Sequence, residues 1–252
     1  MITVCILSKN SAETIRDALD SVKSFSEVLI LDNGSTDNTL EIAKSYPNVR
    51  IFETPFIGFG PLRNQAAKLA THDWILALDT DESLPSALLE EINSLNLDPQ
   101  IAYSMPRNNY YNGKHITGCG WSPDRVIRLY HRGQTEYSDS QVHESVNKEN
   151  ITLKRLKSPI SHIPFRTTAE FLSKMQNYSS LFAKQYQGKR KSSIGKALFR
   201  SFFAFFRFYI IQRGFLLGAE GLIISLYNSN TVFYKYLKLW EKNQNFIDDP
   251  NL

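Results

Sequence analysis

Cysteine is scarce in this chain of 252 residues, with Cys5 and Cys119 its only two. Two thiols cannot build a disulfide framework, and neither lies at a spacing that would hold zinc. Both read as free thiols in a reducing compartment. Long hydrophobic runs are missing too, since no stretch reaches the ~18 apolar residues of a membrane-spanning helix. The first residues, MITVCILSKN, carry neither a basic segment nor an extended apolar one. That pattern is not a secretory signal, and the chain is expected to stay in the cytoplasm. No internal repeat or low-complexity tract occurs, which sets aside repeat architectures. Charge of one sign is not in large excess either: the net charge is +4. With so small an excess, the placement of the basic residues matters more than their sum. What is present, 42% apolar and 21% charged residues, suffices for one substantial α/β core and a smaller extension.

The first half alternates short apolar runs with amphipathic segments. Ile2 to Leu7, Val28 to Leu31, Val49 to Phe52 and Trp74 to Leu78 read as strands, the apolar ones buried. Between them, Ser11 is placed to cap a helix carrying Ile15, Ala18, Leu19 and Val22. A second helix runs through Leu40, Ile42 and Ala43, Pro61 opens a third to about Thr71, and a fourth covers Pro85 to Leu95. Strand and helix alternating through short loops predict right-handed crossovers and a mostly parallel sheet. Such sheets bind ligands beyond the carboxyl ends of their strands. Three polar clusters fall at those ends: residues 8–10, 32–37 and 79–82.

Asp79 and Asp81 are the sharpest chemical signal. They follow an apolar strand directly, and alternation puts residues i and i+2 on one side. A hard cation such as Mg²⁺ or Mn²⁺ takes oxygen ligands of this kind and shares them with substrate phosphates. It would neutralise a leaving diphosphate. The competing reading is an acidic turn that caps the next helix. Gly58 and Gly60 would let backbone approach a ligand closely, and Arg63 near a helix start suits phosphate. A plain loop entering a helix explains the same residues.

Four motifs, ILSKNSAETI (6–15), LDNGSTDNT (31–39), GFGPLRNQA (58–66) and LALDTDE (76–82), resemble glycosyltransferase family 2, the large inverting GT-A family, in order and spacing. The resemblance covers about the first third of the chain. It implies a GT-A, Rossmann-like nucleotide-sugar-binding domain over residues 1–165 and a helical extension over 166–252. It implies a nucleotide pocket lined by Leu7, Ser8, Asn10 and Glu13, with Asp32 on the uracil edge. Arg63 would hold nucleotide and diphosphate, Asp79 would lie near ribose and metal, and Asp81 would ligate Mg²⁺ or Mn²⁺. Many members have Pro-Thr-Tyr-Asn or Pro-Val-Tyr-Asn where this chain has Leu7-Ser8-Lys9-Asn10.

An inverting transfer needs a carboxylate that deprotonates the acceptor hydroxyl. The segment from Trp121 to Tyr130, followed by Gln141-Val142-His143-Glu144-Ser145, resembles the subgroup that adds glucose to the inner core of lipopolysaccharide. By that likeness Glu144 is the base, with His143 positioning it or touching the acceptor. A surface strand is the bland alternative. His162 is a candidate third metal ligand, with a structural histidine beside Pro164 as its rival. Asp124, Arg125 and Arg128 would reach an acidic acceptor or the diphosphate, or else form a solvated strand face. Asn108 to Ser122 reads as a loop, and from Thr168 onward the chain reads as helical.

Between Lys184 and Arg213 basic and aromatic residues interleave. Helical spacing puts Lys196, Arg200 and Arg207 on one stripe, with Leu198, Phe202, Phe205 and Tyr209 roughly opposite. Such a helix suits an anionic membrane surface. The alternative is packing against the catalytic domain or a second subunit, and nothing else favours nucleic acid. The expected activity is metal-dependent transfer of a sugar, glucose, from a UDP-sugar to a lipopolysaccharide-core or related glycolipid on the inner face of the cytoplasmic membrane. A polyprenyl-phosphate glycosyltransferase and a catalytically inactive nucleotide-sugar-binding protein are the rivals.

Overall fold

The computed structural model describes residues 1–139 and 145–247. It divides into two compact units, one of Met1–Asn108 and Asp124–His162, the other of Asn109–Pro123 and Ile163–Leu252.

In the first unit β1 (Ile2–Ser8), α1 (Ile15–Ser21), β2 (Glu27–Asp32), α2 (Thr39–Lys44), β3 (Val49–Glu53), α3 (Phe59–Leu69) and β4 (Trp74–Asp79) alternate. The four strands pair in parallel in the order β3-β2-β1-β4. Then come β5 (Glu82–Ser83), α4 (Ser86–Asn93), β6 (Ile101–Tyr111), β7 (Lys114–His115), β8 (Arg125–His131), β9 (Thr152–Arg155) and β10 (Ile160–His162). Past β4 the pairing becomes mainly antiparallel. β8 runs antiparallel to β4 and β6, and β10 to β5, while β9 is parallel to β6.

Both faces of the parallel part are covered, which is why β1, β2 and β4 are apolar over most of their length. Val4, Ile6, Val28, Ile30, Leu76 and Leu78 cluster with Ile15 and Leu19 of α1 and with Leu88 and Ile92 of α4. Their alternates Cys5, Leu29, Leu31, Ile75 and Ala77 cluster with Leu62, Ala66 and Ala67 of α3. Leu62 is fully buried there, so Leu62→Ala would cost about 2–5 kcal/mol. Burial pushes the Cys5 thiol up to about 12, which makes it inert. At the start of β2, buried Glu27 accepts from Thr3 Oγ1 at 2.5 Å, Thr71 N at 2.9 Å and Thr71 Oγ1 at 2.8 Å, and pairs with Arg50.

Local starts differ from the sequence reading in three places. Ser11 does not cap α1, which begins at Ile15. The Ser11 N–H donates to Thr39 Oγ1 at 2.7 Å, while its carbonyl accepts from Thr14 and Ile15. α3 starts at Phe59, two residues before Pro61, from Gly58 at φ +108°. Pro61 still falls in the first turn, where a missing N–H leaves no bond unmade. The stretch 108–122, read as a loop, holds a hairpin: Tyr111 pairs with Lys114 across Asn112-Gly113, at φ +50° and +72°. Asn-Gly is the dipeptide that tolerates both left-handed positions of such a turn.

The second unit is helical from Thr168, with α5 (Thr168–Tyr186), α6 (Ile194–Phe206) and α7 (Ala219–Ile247). Thr167 and Ser193 cap α5 and α6 by accepting from the N–H groups of Glu170 and Lys196. α6 runs into a π-helical turn, Arg207–Ile211, and a 3-10 turn, Gly214–Leu217, precedes α7. A core of Tyr111, Ile116, Cys119, Phe165, Phe171, Leu217 and Ile224 binds the hairpin to these helices. Gly221 lies so close to Gly214 that a Cβ there would sit 1.9 Å from its carbonyl oxygen.

Candidate active site

The carboxyl ends of β1, β2 and β4 converge, and their loops are stitched together. Asp32 is fully buried. Its Oδ2 accepts from Ser8 Oγ at 2.7 Å and Ser35 Oγ at 2.5 Å, and its Oδ1 from Gly34 N at 2.9 Å and Ser35 N at 2.7 Å. Burial alone would raise its pKa, but these four donors hold the carboxyl below the usual range. Asn10, at φ +49°, donates its N–H to Ser35 Oγ at 2.9 Å and accepts from Thr36 N at 2.8 Å. Thr80 Oγ1 donates to Ser11 Oγ at 3.2 Å, joining the β4 loop to the β1 loop. Ser8 and Asn10 are thus tied to Asp32 and its loop, Leu7 is half-buried at the end of β1, and Glu13 is exposed. A base imide reaching Asp32 would have to displace one of its four donors.

Past β4 the charges sort into two groups. The first is a buried network. Asp79 pairs with both Arg63 and Arg128. Arg128 also donates to Glu82 Oε1 at 2.6 Å, Arg107 reaches the same oxygen at 3.1 Å, and the Asp79 N–H donates to Glu82 Oε2 at 3.1 Å. The Glu82 side chain is 0% exposed and those of Arg63 and Arg128 are 3% and 6%. Burial opposes charge at Asp79, but Arg128 and Arg63 hold its carboxyl far below the ordinary range. Asp79 and Glu82 in turn raise Arg128 well above its usual value, against the opposing effect of burial. Arg63, expected on a diphosphate, is buried and pairs with Asp79, and its Nη1 also donates to the Leu78 carbonyl at 3.3 Å.

The second group is Asp81 and His162. Antiparallel pairing of β5 with β10 sets His162 opposite Glu82, and His162 Nε2 lies 3.4 Å from Asp81 Oδ2. Neighbouring ligands on an octahedral Mg²⁺ or Mn²⁺ with bonds of ~2.1 Å are about 3 Å apart, so this pair fits one edge of a coordination shell. Asp79, the other expected ligand, has one oxygen on Arg63 and the other on Arg128. Among the described residues no group of three or more His, Cys, Asp or Glu is placed to hold a metal. Two protein ligands among the described residues would leave positions in a shell for phosphates and water, as is common for these cations.

Beside Asp79 lies a cavity of ≈340 Å³ whose lining includes Arg107, Arg125, Arg128, Tyr137 and Lys148. Arg107 also pairs with Asp124 at 2.8 Å, and Arg125 donates to the Ser104 and Leu156 carbonyls at 2.8 and 3.1 Å. Asn64 holds the backbone of Tyr137 with two 2.8 Å bonds. The expected His143 and Glu144 lie outside the described residues.

Sequence reasoning missed Glu82 and Asn64 and saw only part of the role of Arg128. A clue was available: an acidic residue buried next to a strand end requires a buried cation, and the inward positions of β8 offer Arg128.

A family model described as glycosyl transferase family 2 matches residues 3–155. An uncharacterised glycosyltransferase of Rickettsia prowazekii is 30% identical over 268 residues, covering 99% of this chain and 91% of its own. The lipopolysaccharide core biosynthesis glycosyltransferase LpsC of Rhizobium meliloti is 25% identical over 251 residues, covering 94% of this chain and 91% of its own. Among solved structures, S. aureus TarS 1–349 in complex with UDP-GlcNAc aligns at a TM-score of 0.47 and 15% identity, over 98% of this chain and 90% of that one.

Proposed function

The chain belongs to glycosyltransferase family 2 and has its GT-A fold, and from that premise we propose that it transfers a sugar, with inversion, from a UDP-sugar to a hydroxyl of a lipopolysaccharide-core or related glycolipid. The observation that carries the reading is the Asp81–His162 pair at the end of β4, spaced for a divalent cation beside three stitched strand-end loops. Mg²⁺ or Mn²⁺ bound there would neutralise the diphosphate as it leaves. The Ser8, Asn10 and Asp32 loops would seat the nucleoside. The Asp79–Arg63–Arg128–Glu82 network is rigid and pre-paired, so it would hold Asp79 in place for the ribose with little reorganisation. Glu144 would take the proton of the acceptor hydroxyl as its oxygen attacks the anomeric carbon and the bond from that carbon to the diphosphate breaks.

Glucose as the sugar rests on the lipopolysaccharide-core likeness of the Trp121–Ser145 region. The acceptor class is supported by the relative named for lipopolysaccharide core biosynthesis. The cation-lined cavity beside Asp79 suits an acceptor that carries phosphate or carboxylate. The test is a panel of nucleotide sugars with Mn²⁺, reading nucleotide release with and without glycolipid acceptor. Wild type should turn over one UDP-sugar, and Asp81→Ala should lower the rate about 10³-fold, a loss of several kcal/mol in transition-state stabilisation. Equal rates in the two proteins, or no reaction with any donor, would defeat the proposal.

A further inference from the structure

α6 is built inside out. Its small residues face the protein: Ala197 and Ala204 are buried, and Ser201 hydrogen-bonds Ser229 of α7 at 2.9 Å. Its large ones face away. Phe199 and Phe202 are 72% and 74% exposed, and Ile194, Leu198, Phe203 and Phe206 are exposed with them. At about 100° per residue these six sweep roughly half of the helix surface without a polar interruption other than Gly195. Lys196 and Arg200 fall beside the Phe203 edge of that arc, between it and the buried stripe. Apolar exposure continues along the chain at Ile210, Ile211, Phe215 and Leu216. A helix in a water-soluble unit ordinarily turns its aromatics inward, and contiguous apolar surface of this kind marks an interaction site.

Charge decides the partner. From Phe171 to Ala219 the sequence has nine basic residues and no acidic one. A second copy laid on this face would offer no carboxylate from the same stretch to meet those cations. Nucleic acid would need the cations at the centre of the face, whereas here phenylalanine holds the centre and the cations its margin. An anionic bilayer matches both parts: rings enter the boundary between headgroups and acyl chains while Lys and Arg meet lipid phosphates. Among the described residues no helix is long and apolar enough to cross a membrane.

We propose that α6 and the turns after it lie in the plane of an anionic lipid surface, with Phe199, Phe202, Phe203 and Phe206 inserted and Lys196, Arg200 and Arg207 on the headgroups. The proposal deepens the glycolipid reading, yet its test needs no sugar nucleotide, so either can fail alone.

The full chain is mixed with vesicles of phosphatidylcholine, with and without phosphatidylglycerol, and bound protein is separated by flotation. Binding should require phosphatidylglycerol and weaken with added salt. Phe202→Ser with Phe203→Ser, and separately Arg200→Gln with Arg207→Gln, should each weaken it at least about tenfold. The thermal unfolding midpoint of both variants should stay at the wild-type value. Three results would overturn the proposal: no vesicle binding, binding unchanged in the phenylalanine pair, or a wild-type dimer in solution that this pair dissociates. Displacement of the vesicles by duplex RNA at low excess would overturn it in favour of nucleic acid.

Discussion

Replacing Arg128 by methionine removes the central cation of the buried network while keeping most of the side-chain volume. Glu82, with no exposed surface, would keep only Arg107 as a charged partner, and Asp79 only Arg63. Breaking a buried pair in this way costs about 3–5 kcal/mol, because the remaining charge stays desolvated. Arg107 still reaches Glu82 Oε1 at 3.1 Å, which places the expected loss near the lower end, about 3 kcal/mol. For a chain of this size each kcal/mol moves the unfolding midpoint by about 2–4 °C, so the midpoint should fall by roughly 6–12 °C. The assay is thermal unfolding at neutral pH followed by circular dichroism. The control is Arg107→Met: it leaves Glu82 paired with Arg128, and its other partner Asp124 is partly exposed, so about 1 kcal/mol is expected there. Adding Glu82→Gln to Arg128→Met should recover part of the loss, a coupling of about 1–3 kcal/mol. An Arg128→Met midpoint within 2 °C of wild type, a loss of about 1 kcal/mol or less, would refute the claim that this network stabilises the site.

Two further outcomes are expected. Burial would raise Glu27, but hydrogen bonds from Thr3, Thr71 and Arg50 lower it to about 2. A carboxyl depressed in the folded state adds stability that is present above its unfolded value near 4.5 and lost as pH falls toward 2. Acid unfolding should therefore erode about 3 kcal/mol across that window, and Glu27→Gln should flatten the dependence while lowering stability at neutral pH. Glu144→Gln should lower kcat by about 10²–10⁴ with donor binding, followed by calorimetry, unchanged. A rate near wild type would instead favour a phosphate acceptor, which needs no base.

The parallel half of the sheet was legible because its signals are local. Apolar runs of four to six residues, each ending in Asp, Asn or Ser, announce strands buried on both faces and polar strand ends. The rest depends on partners far apart in sequence. Glu82 reads as one more acidic residue after Asp81 until β8 brings Arg128 against it. Ser11 has the right residue type for a cap, but its hydroxyl donates to the Lys9 carbonyl and accepts from Thr80. At the end of α6 helical spacing grouped Phe205 and Tyr209 with Leu198 and Phe202. The π-helical turn at Arg207 breaks that phase, and Phe205 and Tyr209 stack on each other, half-buried, at 5.2 Å. The Asn112-Gly113 hairpin was readable from its turn dipeptide alone.

The order of the two units along the chain limits how this protein can be cut or recombined. The backbone passes from one unit to the other at residues 108, 123 and 162. The piece that leaves the first unit and returns carries Tyr111, Ile116 and Cys119, three members of the helical core. A fragment ending at His162 would keep those apolar residues without Phe165, Phe171, Leu217 and Ile224, and the helical remainder would have a hole where they belong. Neither unit is a cassette. A recombination event that exchanged the C-terminal helices would have to bring a matching segment 109–123 with it, so the two stretches are expected to change together across lineages.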